Sequence, residues 1–387
     1  MDYHAIVKQF KVESLYGRYL TVADIEPKLK EWESGNQLKV EGYSVEGRRI
    51  YSFTIGHGKT KILIWSQMHG NESTTTKAVM DLLLFLKSGV VEASSFLNHF
   101  TLLVIPILNP DGAKAYTREN ANRIDLNRDA QDLSQPESQI LRRTFERFQP
   151  HYCYNMHDQR TIFGAGESGK PATVSFLAPA YNAERDYNAT RLKAVSVIIA
   201  MNIALQEIIP NQVGRFDDAF NLNCVGDTFQ ALGVPTILFE AGHFQEDYQR
   251  EHTRQFIFVA LLSGLQAIYE NVIVNNKIED YLRIPQNKVV FYDIVYKNVK
   301  INYDGNIKRT NFAIQFKETL FENEVLFVAY FAEIGSLEAY HGHYEYDAED
   351  AIYSDNDDNI PKVNKKADFK LNNSINVFNG FPNHKKV

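Results

Sequence analysis

Apolar positions alternate between a helical and a strand period along the first third of the chain. Residues 25–32 repeat apolar side chains at helical spacing, whereas 38–56 alternate apolar and polar side chains around a glycine turn, as a β-hairpin does. Residues 59–67 hold the longer apolar run typical of a strand buried on both faces. A helix is predicted next over 73–88, and a second buried strand over 100–108 ends at the turn NPDG.

The alternation of strands and helices continues to residue 273. Helices are predicted over 136–148, 190–209 and 253–273, and strands over 151–157 and 235–241. Strands that alternate with helices favour a mostly parallel sheet with helices on both faces. We therefore predict an α/β fold with a mostly parallel, mixed sheet flanked by helices.

The pattern changes near residue 278. Short alternating strands follow one another without a convincing helix, and the tail beyond about residue 345 is polar and rich in Asp and Asn. A chain of 387 residues is long enough for two domains. We predict an α/β domain over 1–277 and a small β-rich region, with loosely ordered segments, over 278–387.

Composition narrows the classes of partner. Apolar residues make up 44% and charged residues 23% of the chain, as in an ordinary globular protein, and the formal net charge is -7. Without a basic face we expect no nucleic acid and no anionic membrane as partner. The first residues do not resemble a secretory signal, and Cys153 and Cys224, both in apolar surroundings, are expected to be reduced, buried and inert. We expect a cytoplasmic protein.

Three predicted strands end on residues that can bind a metal or move a proton. His69 and Glu72 follow the strand over 59–67 in the stretch MHGNE, His157 ends the strand over 151–157, and Glu240 follows the apolar run VPTILF. In open α/β sheets, ligands bind beyond the carboxyl ends of the strands. Two imidazoles and a carboxylate, with water in the fourth position, form the ligand set of a catalytic zinc ion.

Each of these residues also has an ordinary explanation. A histidine at a strand end is more often a hydrogen-bonded structural group than a ligand, and Glu72 alone could complement the dipole of the following helix. Glu240 is harder to explain in this way, because an unpaired carboxylate after an apolar strand is costly to bury. Four such residues, all expected at the same edge of the sheet, favour a functional site.

The loop NPDGAKAYTRENANRIDLNRD over 109–129 brings further polar side chains to the same edge. Its ordinary interpretation is a solvated loop. Guanidinium groups such as Arg118 and Arg128 would instead suit a substrate carboxylate, which they bind through paired hydrogen bonds. Asp125 could accept the second ring proton of a metal-bound histidine.

HGNE, NPDG, RENANRIDLNRD, the strand that ends in His157, and FEAG together resemble the zinc carboxypeptidase family (the metallocarboxypeptidase A-like, M14-type peptidases) from about residue 40 to 270. The resemblance implies a carboxypeptidase-like fold, with the catalytic domain in 1–277, and one bound zinc ion per chain. The implied zinc ligands are His69, Glu72 and His157.

The resemblance also assigns the remaining roles. Glu240 would be the general base that activates the metal-bound water, and Arg118 would polarise the scissile carbonyl and stabilise the oxyanion. Asn127 and Arg128 would bind the terminal carboxylate of the substrate, and Asp125 would be the partner of His69. The implied reaction is hydrolysis of an amide by metal-activated water and a carboxylate that moves protons.

The sequence departs from the family pattern before the catalytic glutamate. Many members carry a mobile tyrosine about twenty residues earlier, but residues 215–227 contain phenylalanines and no tyrosine. Asp227, if it lines the substrate pocket, would favour a basic side chain or a substrate amine, and otherwise it is an ordinary loop residue.

Two further motifs have ordinary explanations. GHGKT over 56–60 resembles the end of a phosphate-binding loop, but Phe53 stands where the first glycine would be, so we predict a hairpin turn. The segment over 340–350 has two histidines and several acids but no strand-end framework, and we predict a solvated segment.

The leading hypothesis is a zinc-dependent metallocarboxypeptidase that cleaves the C-terminal amide bond of a peptide, or of a murein-derived peptide, with a free carboxylate. One alternative is an N-acyl amino acid deacylase of the aspartoacylase and succinylglutamate desuccinylase type, in which Arg123 could take the oxyanion role. A third is a catalytically inactive module that binds ligands in a zinc cleft.

Overall fold

The computed structural model describes residues 2–271 and 278–382. These residues form two compact units. The first contains the described residues up to Gln159 together with Ala172–Asn287, and the second contains Arg160–Pro171 together with the described residues from Lys288 onward. The predicted domain boundary after residue 277 borders residues outside this description, as does the predicted end of the helix at 273, so the division into 1–277 and 278–387 stays a prediction.

The first unit contains the helices and most of the long strands. Its α-helices are α1 (Tyr3–Gln9), α2 (Val22–Trp32), α3 (Thr74–Lys87), α4 (Val91–His99), α5 (Pro110–Ala115), α6 (Pro136–Phe148), α7 (Ala189–Gln206), α8 (Val225–Ala231), α9 (Glu251–Tyr269) and α10 (Ile278–Leu282), with a 3₁₀ turn over Leu126–Arg128. Its strands are β1 (Leu38–Tyr43), β2 (Arg49–Gly56), β3 (Thr60–Ser66), β4 (Phe100–Ile105), β5 (Tyr152–Asp158), β7 (Val174–Leu177), β8 (Val213–Arg215) and β9 (Thr236–Ala241); the short β6 (Phe163–Ala165) belongs to the second unit.

These strands form a mixed eight-stranded sheet in the order β1-β2-β4-β3-β5-β9-β7-β8. The four central strands β4, β3, β5 and β9 are mutually parallel. Strand β1 pairs antiparallel with β2, β2 with β4, and β7 with β9, whereas β8 is parallel to β7. The α/β fold with a mixed sheet between helices is therefore confirmed, as is the hairpin of β1 and β2.

The central strands are apolar because both of their faces are covered. On one face, the main hydrophobic core joins residues of α3, α7 and α9 to β3, β5 and β9. On the other face, a second core joins residues of α6 and α8 to Trp65 and Cys153 of β3 and β5. Such two-sided burial explains the continuous apolar run of β3.

Helix α7 is long and apolar. Its 18 residues have a mean hydropathy of 1.2, so by length and composition alone it is one helix of the described chain that could cross a membrane. Ala194, Val195 and Ile198 of α7 are completely buried in the main core, and α7 packs against α9. A buried core helix can have the same length and composition, so these two properties are weak evidence for a membrane span.

Some local predictions were wrong. The GHGKT segment does not form a hairpin turn, because β4 lies between β2 and β3 in the sheet. The strand predicted over 100–108 ends at Ile105, and NPDG begins the short helix α5, where the Asn109 Oδ1 accepts a hydrogen bond from the Gly112 N–H at 2.8 Å. An asparagine at this position caps the first turn of a helix.

The second unit is rich in β-structure, as predicted. Its strands are β10 (Asn287–Val289), β11 (Phe291–Tyr303), β12 (Asn306–Phe321), β13 (Glu324–Gly335), β14 (His341–Asp347), β15 (Tyr353–Ser354), β16 (Phe369–Leu371), β17 (Ile375–Phe378) and β18 (Phe381–Pro382), of which β10 begins in the first unit and pairs with β6. The sheet β13-β12-β11-β14 and the small sheet β15-β16-β17-β18 contribute side chains to one shared core. The polar tail thus contains short ordered strands, and the segment predicted as solvated holds β14.

A buried arginine connects the last long helix of the first unit to α3 and to the start of the unit. Arg254 of α9 donates from Nε and Nη2 to the two carboxylate oxygens of Asp81 on α3, at 2.6 Å each. The same guanidinium donates to the backbone carbonyls of Leu15 and Val12. Both side chains are almost wholly buried, so water cannot compensate the charge of either one.

We predict that Arg254→Met lowers the free energy of unfolding by about 3–5 kcal/mol, because the Asp81 carboxylate would stay buried without its partner. Chemical denaturation monitored by circular dichroism measures the effect. The control is Arg283→Met, which removes an exposed pair with Asp280 and is expected to cost less than about 1 kcal/mol. Equal costs for the two variants would contradict the role given to the buried pair.

Candidate metal centre

The predicted site lies at the carboxyl ends of three parallel strands. His69 follows β3, His157 is on β5 and Glu240 is on β9, and His157 pairs with Glu240 in the register of the two strands. Glu72 lies just before α3, at the point where the chain turns from the strand end into the helix. The parallel order of β3, β5 and β9 therefore brings all four side chains to one edge of the sheet.

Three of them meet at one point. The His69 Nδ1 lies 2.9 Å from Glu72 Oε1, the His157 Nδ1 lies 3.0 Å from Glu72 Oε2, and the two Nδ1 atoms are 3.2 Å apart. One ligand atom from each of the three residues lies within 4.8 Å of the others, and all three residues are buried. Two imidazole nitrogens and a carboxylate that converge in this way fit a zinc ion with an open coordination position.

The electrostatics of Glu72 and His157 agree with that fit. Burial raises the pKa of the Glu72 carboxyl, but His69 and His157 outweigh this effect and hold the pKa far below its usual range, so Glu72 stays ionised. Burial lowers the pKa of His157 in spite of the opposing effect of Glu72, which favours the neutral imidazole that binds a metal. Burial also lowers the pKa of His69, but the Glu72 and Asp125 carboxylates outweigh burial and raise it.

Asp125 holds the other ring nitrogen of His69. Its Oδ1 lies 2.9 Å from His69 Nε2 and accepts a second hydrogen bond from the Asn127 backbone N–H at 2.8 Å. A proton on Nε2 leaves Nδ1 free to act as a ligand, which is the usual arrangement around metal-binding histidines. The structure thus brings Asp125 to the position that the resemblance implied.

Glu240 is half-buried, and its Oε2 has no hydrogen-bond partner within the described ranges. Burial raises the pKa of this carboxyl well above its ordinary value, and the nearby carboxylates of Glu72 and Asp158 raise it further. A bound cation would oppose both effects, since it neutralises the negative charge of the neighbouring ligands.

Arg118 bridges two carboxylates of the site. Its Nη1 lies 3.3 Å from Glu72 Oε1, and its Nε and Nη2 lie 3.1 and 3.0 Å from Asp125 Oδ2. The side chain is 42% exposed, so solvent or a substrate can reach it. The structure therefore places Arg118 at the rim of the His–Glu–His group, and its part in oxyanion stabilisation stays a prediction.

Asn127 and Arg128 lie on the same 3₁₀ turn but contact the start of α8. The Asn127 Oδ1 accepts a hydrogen bond from the Val225 N–H at 3.0 Å, and the Arg128 Nη1 lies 3.2 Å from the Cys224 sulfur. Cys224 is only half-buried, which corrects the prediction of a buried thiol, whereas Cys153 is buried as predicted. Both cysteines are free.

Asp227 lies in the first turn of α8 and is buried, so it is not a residue of an exposed loop. Burial raises the pKa of its carboxyl to about 7, against the lowering effect of Arg191. A role of Asp227 in substrate binding stays a prediction.

A close backbone approach sets the position of MHGNE. A Cβ atom on Gly70 would lie 1.9 Å from the carbonyl carbon of Gly112, so a larger residue here would force the strand end away from α5. The contact holds the His69 loop against the segment that leads to Arg118.

Two residues of the site were missed in the sequence. The Asp158 carboxylate accepts hydrogen bonds from the N–H groups of Thr74 and Thr75 at the start of α3, and its own N–H donates to Glu72 Oε2 at 3.1 Å. Arg250 is buried and donates to the carbonyls of Ala241 and Gln159 at 2.6 Å each, which joins the ends of β5 and β9. An acid directly after His157 was a signal for Asp158, whereas Arg250 lies in a polar loop and gave none.

Comparisons with known proteins agree with this geometry. Residues 30–171 match the family model described as zinc carboxypeptidase. The chain is 33% identical over 138 residues to carboxypeptidase 2 of Trichophyton equinum, and 29% identical over 150 residues to carboxypeptidase E of Caenorhabditis elegans. These alignments cover 33% and 32% of this chain, and 25% and 32% of the two relatives. The chain thus spans about a third or less of the length of these curated relatives.

The fold is also found in solved structures. A metallo-carboxypeptidase from Burkholderia cenocepacia superposes with a TM-score of 0.53 at 16% identity, over 65% of this chain and 70% of that one. Thrombin activatable fibrinolysis inhibitor superposes with a TM-score of 0.53 at 13% identity, over 70% of this chain and 81% of that one. At such low identity these matches show the fold.

We predict that Asp125→Asn weakens zinc affinity about 10–100-fold, because the amide no longer holds the His69 Nε2 proton as the carboxylate does. Competition with a chromophoric zinc chelator measures the affinity. Asp132→Asn, a change at an exposed position, is the matched control and should bind zinc as the wild type does. Wild-type affinity in Asp125→Asn would contradict the partner role.

We expect Arg250→Met to loosen the site, because the carbonyls of Ala241 and Gln159 would lose their buried donors and the ends of β5 and β9 would no longer be joined. Zinc affinity should fall at least about tenfold in protein that circular dichroism shows to be folded, a fall equivalent to about 1.4 kcal/mol. If Arg250→Met is folded and binds zinc with wild-type affinity, the hydrogen bonds of Arg250 do not position the ligands.

Proposed function

Because the sequence and fold comparisons support the zinc carboxypeptidase family, we propose that this protein is a zinc-dependent hydrolase that removes the C-terminal residue of a peptide. The observation that supports this proposal most directly is that His69, Glu72 and His157 converge beside Glu240. A carboxylate next to an open metal site is an arrangement that can hydrolyse an amide with metal-activated water.

Each residue has a defined task in this proposal. His69, Glu72 and His157 would hold one zinc ion, which supplies a Lewis acid for the scissile carbonyl and lowers the pKa of water. Glu240 accepts a proton from the attacking water and transfers it to the leaving amine. The Arg118 guanidinium, at the exposed rim, donates hydrogen bonds to the oxygen on which negative charge develops.

In this proposal Arg128 binds the substrate carboxylate. Its side chain is exposed and rests on Cys224, a weak acceptor, so a carboxylate can replace this contact with paired hydrogen bonds. Asn127 is placed by its bond to the Val225 N–H beside the same position. We infer a peptide or a small peptide-like substrate with a free carboxylate. The expected absence of nucleic-acid and membrane partners and the cytoplasmic location stay predictions.

We expect Glu240→Gln to bind zinc and to lose at least about 100-fold in turnover, because the amide cannot accept the proton of the attacking water. His69→Ala should lose both zinc and turnover, since it removes a ligand. Metal analysis of the purified variants and mass spectrometry of a peptide pool after incubation measure the two properties. Glu92→Gln, an exposed change on α4, is the control and should match the wild type.

The products decide among the hypotheses. Loss of single C-terminal residues, absent with Glu240→Gln, would support the peptidase, and cleavage of N-acyl amino acids alone would replace it by the deacylase. Bound zinc with no cleavage of any substrate would favour the inactive binding module. Zinc binding that survives His69→Ala would overturn the ligand assignment.

A further inference from the structure

The segment between α1 and α2, residues 10–21, forms neither a helix nor a strand, yet much of it is buried. We call it the N-terminal strap. Val12, Leu15 and Leu20 belong to the main hydrophobic core, whereas Tyr16 is 65% exposed. A buried backbone outside helices and strands must find its hydrogen bonds elsewhere. The partners of the strap therefore show which parts of the unit it holds.

The first half of the strap is bound by charged side chains of α3 and α9. Lys77, whose side chain is completely buried, donates to the Gly17 carbonyl at 2.7 Å, and Glu251 accepts from the Gly17 N–H at 3.3 Å. The bonds of Arg254 to two strap carbonyls add to this anchor. Buried charges are costly without their partners, so these contacts fix the strap on the two helices.

Gln67 connects the second half of the strap to the metal-binding loop MHGNE. Its Nε2 donates to the Leu20 carbonyl of the strap and to the Gly70 carbonyl of the loop, at 2.8 Å each. Its Oε1 accepts from the Thr76 hydroxyl of α3 at 3.0 Å. The residue is completely buried, so these bonds replace those that water would supply.

The backbone conformation of Gln67 depends on the same contacts. Its φ of 49° lies in the left-handed region, which is unfavourable for a residue with a Cβ atom and persists only where the surroundings hold it. Loss of the strap would remove one of the bonds that hold it. Because His69 lies two residues further on, relaxation of Gln67 would displace the His69 imidazole from the other ligands.

Two further contacts join the strap to the site. The Ser73 hydroxyl, at the start of α3, donates to the Arg18 carbonyl at 2.5 Å. The Tyr19 hydroxyl donates to the Lys114 carbonyl at 2.9 Å, in the segment that leads to Arg118. The strap is thus bound to the metal-binding loop and to the loop that follows β4.

We propose that the N-terminal strap is a latch for the metal centre: the docked strap holds MHGNE in the conformation that binds zinc, and bound zinc in turn holds the strap. Gln67 is the positioning residue that transmits this effect. The inference rests on the zinc ligands of the hydrolase proposed above, but not on turnover. Coupling is reciprocal, so the strap strengthens zinc binding by the same factor by which zinc stabilises the docked strap.

The first test loosens the strap at Gly17. Its φ is 76°, and a Cβ atom would lie 3.2 Å from Gln249 Oε1, so Gly17→Ala strains the strap. Gly89→Ala is the matched control, because Gly89 has the same φ and a Cβ atom there would meet no described atom within 4 Å. Competition with a chromophoric chelator should show zinc affinity at least about fivefold lower in Gly17→Ala, and within about twofold of wild type in Gly89→Ala. Wild-type affinity in folded Gly17→Ala would overturn the latch.

A second variant, Gln67→Met, keeps the proposal testable if Gly17→Ala does not fold. Methionine has a similar length but cannot donate to the Leu20 and Gly70 carbonyls. Zinc affinity should again fall at least about fivefold. Wild-type zinc affinity in this variant would overturn the part given to Gln67.

Proteolysis separates a latch from a merely structural role. Chymotrypsin cleaves after aromatic residues such as the exposed Tyr16, and must displace the strap because Leu15 and Gly17 on either side are buried. Saturating zinc should slow this cleavage at least about fivefold in the wild-type full chain, but less than about twofold in Gln67→Met, as measured by mass spectrometry of the fragments. Equal protection of both proteins, or none of the wild type, would overturn the latch.

Zinc binding and turnover together separate this proposal from the hydrolase. The expected effects on zinc affinity and proteolysis, without cleavage of any peptide, would retain the latch and overturn the hydrolase. Peptide cleavage that requires Glu240, with equal zinc affinity in the wild type and Gly17→Ala, would retain the hydrolase and overturn the latch. A wild type that binds no zinc would overturn both.

Discussion

The register of the parallel strands β3, β5 and β9 is the constraint on which the site depends. It places His157 directly beside Glu240 and brings the end of β3, with His69, to the same edge. A shift of one residue would turn each side chain to the other face of the sheet. The hydrogen bonds from Arg250 to the Ala241 and Gln159 carbonyls, the hydrogen bond that Asp158 accepts at the start of α3, and the helices that cover the sheet all stabilise this register. Much of the unit therefore holds a few side chains in place.

Burial gives this edge its chemistry. In a medium of low dielectric constant, charges interact more strongly than in water, and each charge requires a partner. Glu72 shows the consequence, because one carboxylate contacts His69, His157, the Asp158 N–H and Arg118. The group is therefore saturated with positive and polar partners before any substrate arrives, and its geometry is fixed in advance.

The parts of the fold that follow from local pattern could be predicted from the sequence. Apolar periods gave the helices and the central strands, and the strand ends then indicated His69, His157 and Glu240. Strand order could not be read in this way, because the insertion of β4 between β2 and β3 depends on pairing between distant segments. Arg250 was missed for the same reason: its role lies in two carbonyls that folding brings to it.

Gln67 illustrates a role that the sequence did not indicate. A polar residue at the end of an apolar strand is ordinary, and its bond to the Leu20 carbonyl joins residues that are 47 positions apart. The site roles of Asn127 and Arg128 could be proposed from sequence, but the present contacts of both with the start of α8 depend on loop packing that no periodicity encodes.

The bonds from Arg254 to the carbonyls of Val12 and Leu15 have a consequence for biosynthesis. They join residues that are 242 and 239 positions apart, so the carbonyls of Val12 and Leu15 cannot find their Arg254 donor until α9 has been made. At roughly 5–20 residues per second, this delay is about 12–50 s. During that time these two carbonyls, which belong to residues buried in the finished protein, must be hydrated or bonded elsewhere, so this part of the first unit is completed only late in synthesis.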